Sequence, residues 1–82
     1  MHEKDLEKWI EENFSNVEEW GLDYKGDGDV EIWFKDIYFD NRYIEKLREI
    51  MDIVEWHVEA VEPSPREEKA DLVLLVISGF LR

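Results

Sequence analysis

One pattern of residues occurs twice in the sequence, and this repetition constrains the fold more than any other feature. Leu6-Glu7-Lys8-Trp9 corresponds to Ile44-Glu45-Lys46-Leu47, and Val17-Glu18-Glu19-Trp20 corresponds to Ile53-Val54-Glu55-Trp56. Small insertions shift the register, so the pattern repeats rather than the residues themselves. Each copy is typical of a helix followed by a strand, a turn and a second strand. The repetition therefore predicts a doubled architecture, and it says nothing about chemistry.

The spacing of apolar residues predicts six elements in the order αββαββ. A chain of 82 residues is expected to form one domain, here with similar halves at residues 1–39 and 40–82. The expected elements are a helix over about 3–14, strands over 17–24 and 29–38, a helix from the Asp40-Asn41 cap to about Met51, and strands over 53–61 and 70–80. A glycine turn joins the first two strands, and a proline-rich loop at 63–69 precedes the last one.

The last predicted strand is apolar on both faces, which is typical of a central strand. We therefore expect an α+β fold with a four-stranded antiparallel sheet in the strand order 3-4-2-1 and with both helices on one face. Val30, Ile32 and Phe34 are expected to face the helices. This topology resembles a circularly permuted ferredoxin-like sheet, a resemblance that implies no particular function.

Composition excludes several classes of site. The chain contains no Cys, so disulfides and zinc–cysteine clusters are excluded. The first five residues contain no apolar run, and the longest apolar run is far shorter than the roughly 18 residues of a membrane span. We therefore expect a soluble, cytoplasmic protein without a membrane partner. The absence of Gln and Thr, together with many Glu and Lys, is typical of a hyperthermophile.

The net charge of −12 limits the possible partners. Residues 1–39 carry twelve acidic and four basic side chains, and residues 40–82 carry ten acidic and six basic ones. A surface of this sign repels nucleic-acid phosphates, which are normally bound by Lys and Arg. We therefore expect no direct nucleic-acid binding. The charge can equally serve only to keep a small protein soluble.

No motif predicts a metal site or a cofactor. His57 lies between Glu55 and Glu59 on one predicted strand, but zinc sites need three or four ligands. Four acidic residues surround the glycine turn and could attract calcium, yet their spacing does not match an EF-hand and Asp-Gly pairs are common in turns. These residues are Asp23, Asp27, Asp29 and Glu31.

No pattern of catalytic residues is present either. Ser15, Ser64 and Ser78 lack a surrounding nucleophile signature. Gly26 and Gly28 do not form a phosphate loop, because no Lys-Ser or Lys-Thr follows them. The sequence therefore predicts a protein that is not an enzyme.

The apolarity of the last strand predicts a homodimer. One of its two apolar rows should remain on the uncovered side of the sheet, and monomers seldom expose apolar patches of several hundred Å². We expect this interface to contain Trp33, His57, Val73, Leu75 and Ile77.

The function predicted from these features is a non-enzymatic interaction or regulatory protein whose acidic surface docks on a basic protein, with nucleic-acid-binding proteins as one class of such partners. The alternative is a regulatory module that binds a small molecule or a divalent metal. The acidic surface is expected to comprise Glu11, Glu12, Glu18, Glu19, Asp23, Asp27 and Asp29.

Overall fold

The structure, a computed structural model, describes residues 1–60 and 72–82. The predicted loop at 63–69 lies outside the described residues. The elements are α1 (Glu3–Asn13), β1 (Glu19–Gly26), β2 (Asp29–Tyr38), α2 (Arg42–Leu47), β3 (Met51–Ala60) and β4 (Leu72–Leu81).

The four strands form one antiparallel sheet in the order β1-β2-β4-β3. Read from the other edge, this is the predicted order 3-4-2-1. The α+β class, the four-stranded antiparallel sheet and the two helices are therefore confirmed. The two inner strands, β2 and β4, carry the most apolar faces, because both of their edges are paired and both helices pack over them.

Both helices cover the same face of the sheet. Val30, Ile32 and Phe34 of β2 are fully buried in one cluster with Leu6 and Ile10 of α1. Full burial of such side chains contributes about 1.5–3 kcal/mol each relative to exposure. Among the described residues, no charged or polar side chain is buried. The cluster also contains Phe14, Val17, Ile37, Tyr43, Ile44, Leu47, Ile50, Met51, Leu75 and Ile77.

Three aromatic rings connect the two helices to the sheet. Phe14, at the end of α1, lies 4.9 Å from Phe34 of β2 and stacks on Tyr43 of α2 at 5.4 Å. Such pairs add about 0.5–1.5 kcal/mol beyond area burial. The contact fixes how the C-terminal end of α1 and the whole of α2 sit on the sheet.

The predicted glycine turn is present between β1 and β2. Asp27 and Gly28 both have positive φ angles, 51° and 81°. Positive φ at both central residues matches a two-residue hairpin turn whose twist suits the flanking strands. The backbone N–H of Leu81 donates to the Gly28 carbonyl at 2.9 Å, which fastens the turn to the end of β4.

The second helix is shorter than predicted. It ends at Leu47, and Met51, which we expected to be helical, begins β3 and is fully buried. Apolar residues at 50 and 51 fit the helical spacing and the following strand equally well, so spacing alone cannot locate this boundary. In the predicted cap, Asp40 rather than Asn41 supplies the side-chain acceptor, because its Oδ1 accepts the backbone N–H of Arg42 at 2.8 Å.

The placement of Val73, Leu75 and Ile77 on the uncovered face of the sheet was wrong. Leu75 and Ile77 are 0% exposed in the core. They pair directly with Phe34 and Ile32, and directly opposed residues in an antiparallel pair project to the same face. Val73 belongs to the same row and packs against the core. A charge introduced at Leu75 would therefore be buried in the core and would not test a surface interface.

Bulges in β2 and β3 alter the alternation that the sequence predicted, and a third register shift lies between Tyr24 and Gly26 in β1, next to the hairpin turn. Phe34 pairs with Leu75 and Ile37 with Val73, so β2 carries one extra residue in this stretch. Asp36, within it, has a φ of 56°. A second irregularity lies between Ile53 and Glu55 in β3. Each bulge reverses which side chains face the helices beyond it.

Candidate interaction surface

The face of the sheet opposite the helices, called here the open face, carries an apolar stripe. It runs along β4, whose even-numbered residues project to this side, and includes two residues of β2. Trp33 pairs with Val76 and Tyr38 pairs with Leu72. Tyr38 and Phe80 are 58% and 46% exposed, and the other members are partly buried by their neighbours. The apolar stripe comprises Trp33, Tyr38, Leu72, Leu74, Val76 and Phe80.

The position of Trp33 depends on a glycine in the neighbouring strand. Gly21 pairs with Trp33 across β1 and β2. A Cβ at position 21 would lie only 2.2 Å from Cζ2 of the indole. The missing side chain therefore lets the ring lie against the backbone of β1, in the way that aromatic residues cover glycines in sheets. The indole is consequently held at the centre of the open face.

Seven carboxylates surround the apolar stripe, and together they are called the acidic frame. Three of them pair with a cation: Glu31 with Lys25 and Glu19 with Lys35, both at 3.5 Å, and Asp52 with Arg82 at 3.1 Å. The remaining four contact no Lys or Arg within the described residues. The acidic frame comprises Glu19, Asp23, Asp29, Glu31, Asp52, Glu55 and Glu59.

Two members of the acidic frame face each other directly. Asp23 of β1 pairs with Glu31 of β2. Like charges at directly opposed positions destabilise a sheet. Since Lys25 pairs with Glu31, the carboxylate of Asp23 is the one of the two that contacts no Lys or Arg among the described residues.

The structure divides the predicted acidic surface between two sides of the molecule. Glu19, Asp23 and Asp29 lie on the open face. Glu11 and Glu12 are exposed on α1, which covers the opposite face of the sheet. The net charge follows from the composition, but the alternation of side chains along each strand determines the face on which each carboxylate lies. Glu18 precedes β1 and Asp27 occupies the hairpin turn, so neither lies in the acidic frame.

The predicted interface residues are divided in the same way. Trp33 and His57 lie on the open face, and both pair with Val76. The sequence prediction missed Val76 and Leu74, which hold the positions assigned to Leu75 and Ile77. Ser78 could have indicated which row of β4 faces outward, because a polar residue on an otherwise apolar strand is expected on the solvated face.

The acidic residues considered for metal binding do not form a coordination site in the part of the chain that the structure describes. No group of three or more His, Asp or Glu side chains is arranged there to hold an ion. His57 contacts one carboxylate, with its Nε2 3.3 Å from Glu59. One such contact falls short of the ligand number of a zinc site.

A cleft of about 390 Å³ lies between the end of α1 and α2. Asn16 donates from its amide to the Tyr43 hydroxyl at 3.2 Å. Arg42 binds Asp40 with two nitrogens, at 3.1 and 2.9 Å, and this guanidinium lowers the pKa of the Asp40 carboxyl. The lining also includes Asn13, Phe14, Tyr38 and Lys46. The cleft offers aromatic walls, amide groups and one cation already held by a carboxylate.

Burial and two carboxylates perturb Tyr24 at the other end of α1. Its hydroxyl donates to the backbone carbonyl of Glu3 at 2.8 Å. Partial burial, together with the charges of Glu7 and Glu3, raises the pKa of Tyr24. The neutral phenol is therefore the form that ties β1 to the start of α1.

Comparison with known protein families, curated proteins and solved structures gave no match to this chain. Neither α1 nor α2, the helices within residues 1–60 and 72–82, is long and apolar enough to cross a membrane.

Proposed function

We propose that this protein is a non-enzymatic interaction module that binds a Lys/Arg-rich segment of a basic protein on its open face. The observation that carries this proposal is the apolar stripe surrounded by the seven carboxylates of the acidic frame. An apolar centre with a charged rim is the usual anatomy of a protein interface. The sign of the rim specifies a cationic partner.

Each part of the open face has a distinct role in such binding. The held indole of Trp33 offers a flat surface on which an arginine of the partner can stack, a contact worth about 0.5–2 kcal/mol. The four carboxylates that contact no Lys or Arg among the described residues flank it and attract further basic residues. Their long-range field mainly raises the rate of association and selects the partner.

The negative charge of the open face distinguishes it from a sheet that binds nucleic acid. Aromatic residues on an open sheet can stack on the bases of single-stranded RNA. Such proteins also need cations for the phosphates, whereas here Lys25, Lys35 and Arg82 already pair with carboxylates. A nucleic-acid-binding protein, approached through its own basic surface, is one specific form of the partner that we propose.

The test uses a fluorescein-labelled peptide of alternating arginine and serine, with binding followed by fluorescence anisotropy at about 50 and 300 mM salt. The first variant neutralises three open-face carboxylates: Asp23→Asn, Asp29→Asn and Glu59→Gln. At about 0.5 kcal/mol for each exposed charge pair, the loss amounts to roughly tenfold in Kd at low salt.

A matched variant separates surface-specific binding from general attraction. Glu11→Gln, Glu12→Gln and Glu45→Gln remove the same charge from the helical side. We expect this variant to change Kd less than twofold, and Trp33→Leu to weaken binding of the arginine peptide more than that of a lysine peptide. Equal losses in the two charge variants would mean that the peptide responds to net charge alone, and would refute the proposal.

We propose further that the fold is a duplicated, circularly permuted ferredoxin-like sheet. The supporting observation is that each half supplies one helix, one edge strand and one inner strand. A permutant that begins at residue 40 and joins residue 82 to residue 1 should then retain the native circular dichroism spectrum. A permutant with a molten spectrum would contradict the equivalence of the halves.

A second candidate function is the binding of a small polar molecule in the cleft between α1 and α2. Its volume of about 390 Å³ and its mixture of aromatic and amide groups support this candidate. Screening small metabolites by thermal shift, with Asn16→Ala as the comparison variant, tests it. A ligand that raises Tm equally in both proteins would not be bound at this cleft.

A further inference from the structure

Two apolar residues of the edge strand β3 remain exposed on the side of the sheet that carries the helices, and a third lies at the neighbouring bulge. Trp56 and Val58 pair with the buried Ile77 and Leu75, so they point to the helical side. They are nevertheless 40% and 39% exposed, because neither helix extends over this part of β3. Val54, at the bulge, is 67% exposed. These three residues form what we call the edge patch.

The ring of Trp56 is held in place within this patch. Phe39 stacks on it with the centroids 5.2 Å apart and the planes inclined by 22°. A stacked pair reduces the rotamer freedom that the side chain would otherwise lose on binding. The edge patch therefore presents an ordered aromatic surface.

Within residues 1–60 and 72–82, the backbone of β3 pairs on one side only. β3 is ten residues long and pairs with β4 on one side, and no described strand pairs with its other side. A long edge strand with exposed apolar residues favours association with another strand. The charges on β3 then determine which strand it can accept.

We propose that β3 pairs with β3 of a second copy of this chain, antiparallel, about a twofold axis that passes beside Trp56. The two four-stranded sheets become one eight-stranded sheet. Glu55 then lies opposite His57 of the partner subunit, and Val54 opposite Val58 of the partner subunit. The two Trp56 side chains meet at the axis. Every residue of the edge patch gains an apolar neighbour.

The charged side chains of β3 favour this register over the alternatives. An axis beside residue 55 opposes the two Glu55 side chains, and an axis beside residue 57 opposes Glu55 and Glu59, both unfavourable like-charge pairs. An axis beside residue 58 opposes His57 and Glu59, but it leaves Val54 without an apolar partner. The axis beside Trp56 satisfies both the charge and the apolar pattern. A basic peptide would satisfy only the charges.

This pairing does not rest on the proposed function, and it leaves the open face uncovered. The axis is perpendicular to the sheet, so the open faces of both copies lie on the same side. Two acidic frames would then stand side by side, and a basic partner could bind both.

Introduced cysteines test the register directly, because the chain has no Cys. Directly opposed residues have Cα atoms about 4.5–5.5 Å apart, within the range for a disulfide. A mixture of Glu55→Cys chains and His57→Cys chains should form mixed disulfide dimers, identified by intact mass. E55C alone should not, since its two Cα atoms would be about 8 Å apart.

Two further mixtures serve as controls for the register. H57C with E59C reports the axis beside residue 58, and E55C with E59C reports the axis beside residue 57. Preferential cross-linking in either control, or none in the mixture of E55C and H57C, would overturn the proposed register.

Sedimentation equilibrium tests the dimer without cysteines. Because each chain carries a charge of −12, salt should strengthen the pairing, whereas it should weaken docking of a basic peptide. Val58→Lys should raise the dimer dissociation constant at least tenfold, and Tyr38→Lys on the open face should change it little. A protein that stays monomeric at about 0.5 M salt and about 1 mM chain refutes the pairing while leaving the peptide test unaffected.

Discussion

Replacing Gly21 by Ala tests whether the indole of Trp33 is seated on the backbone of β1. The new Cβ would lie 2.2 Å from Cζ2 and 2.4 Å from Cε2 of the ring. Non-bonded carbons prefer about 3.5–4.0 Å, so the ring must retreat by about 1.3 Å. The atoms that clash belong to a side chain, so we expect the indole to swing outward while the strands keep their pairing.

The expected cost is small because two effects oppose each other. If the displaced ring exposes a quarter of a tryptophan's area, about 50 Å², the loss is about 1.2 kcal/mol. Alanine in a strand recovers about 0.5–1 kcal/mol relative to glycine. Gly21→Ala should therefore lower the free energy of unfolding by only about 0.5 kcal/mol, while weakening binding of the arginine peptide.

Urea unfolding of Gly21→Ala, Trp33→Leu and the double variant measures the coupling. With Trp33 replaced, Gly21→Ala should stabilise the protein by about 0.5–1 kcal/mol. Gly79→Ala is the contrasting control, because its Cβ would lie 2.2 Å from the Asp52 carbonyl oxygen, which is backbone. It should cost toward the upper end of about 1–3 kcal/mol. A Gly21→Ala effect that is the same with and without Trp33 would refute the seating of the indole.

Two other changes examine the core and the link between helix and sheet. Leu75→Ala should lower the free energy of unfolding by about 2–5 kcal/mol, whereas Leu74→Ala on the open face should cost much less; similar costs in denaturant titrations would contradict the assignment of faces. Tyr24→Phe removes the hydrogen bond to Glu3 and should cost about 0.5–1.5 kcal/mol near neutral pH. The raised pKa of Tyr24 means that the folded state retains its phenol proton after the unfolded chain has lost it, so stability should fall as the pH rises above about 10 toward the folded pKa. The Phe variant should lack this decline, and urea midpoints between about pH 8 and 11 check the difference.

The inner strands show what the sequence could and could not predict. β2 alternates between apolar residues and charged ones such as Glu31 and Lys35, so its buried row was predicted correctly. β4 has apolar residues in both rows, and the hydrophobic pattern cannot choose between them. The register with β2 determines which row is buried, because Leu75 pairs with the buried Phe34. Ser78 was the one local signal, and a single partly buried hydroxyl gives it little weight.

The bulges and the acidic frame could not be predicted from the sequence, for a related reason. One extra residue at Asp36 or Val54 leaves the apolar composition unchanged, yet it reverses the side chains that follow. The net charge could be counted from the sequence, whereas its division between α1 and the open face depends on the side of the sheet to which each carboxylate of β1 projects. The net charge and the strand order were therefore predictable, whereas the residue-by-residue register between paired strands was not.

The apolar interior separates the stability of this protein from its recognition properties. Within the described residues, no buried side chain is charged or polar, so no ion pair or hydrogen-bond network links the core to the open face. Substitutions that follow a changing partner can therefore accumulate on the open face at little cost to folding. The same independence suits the domain to engineering, since a library of open-face variants would sample new specificities while the helical side preserves the fold.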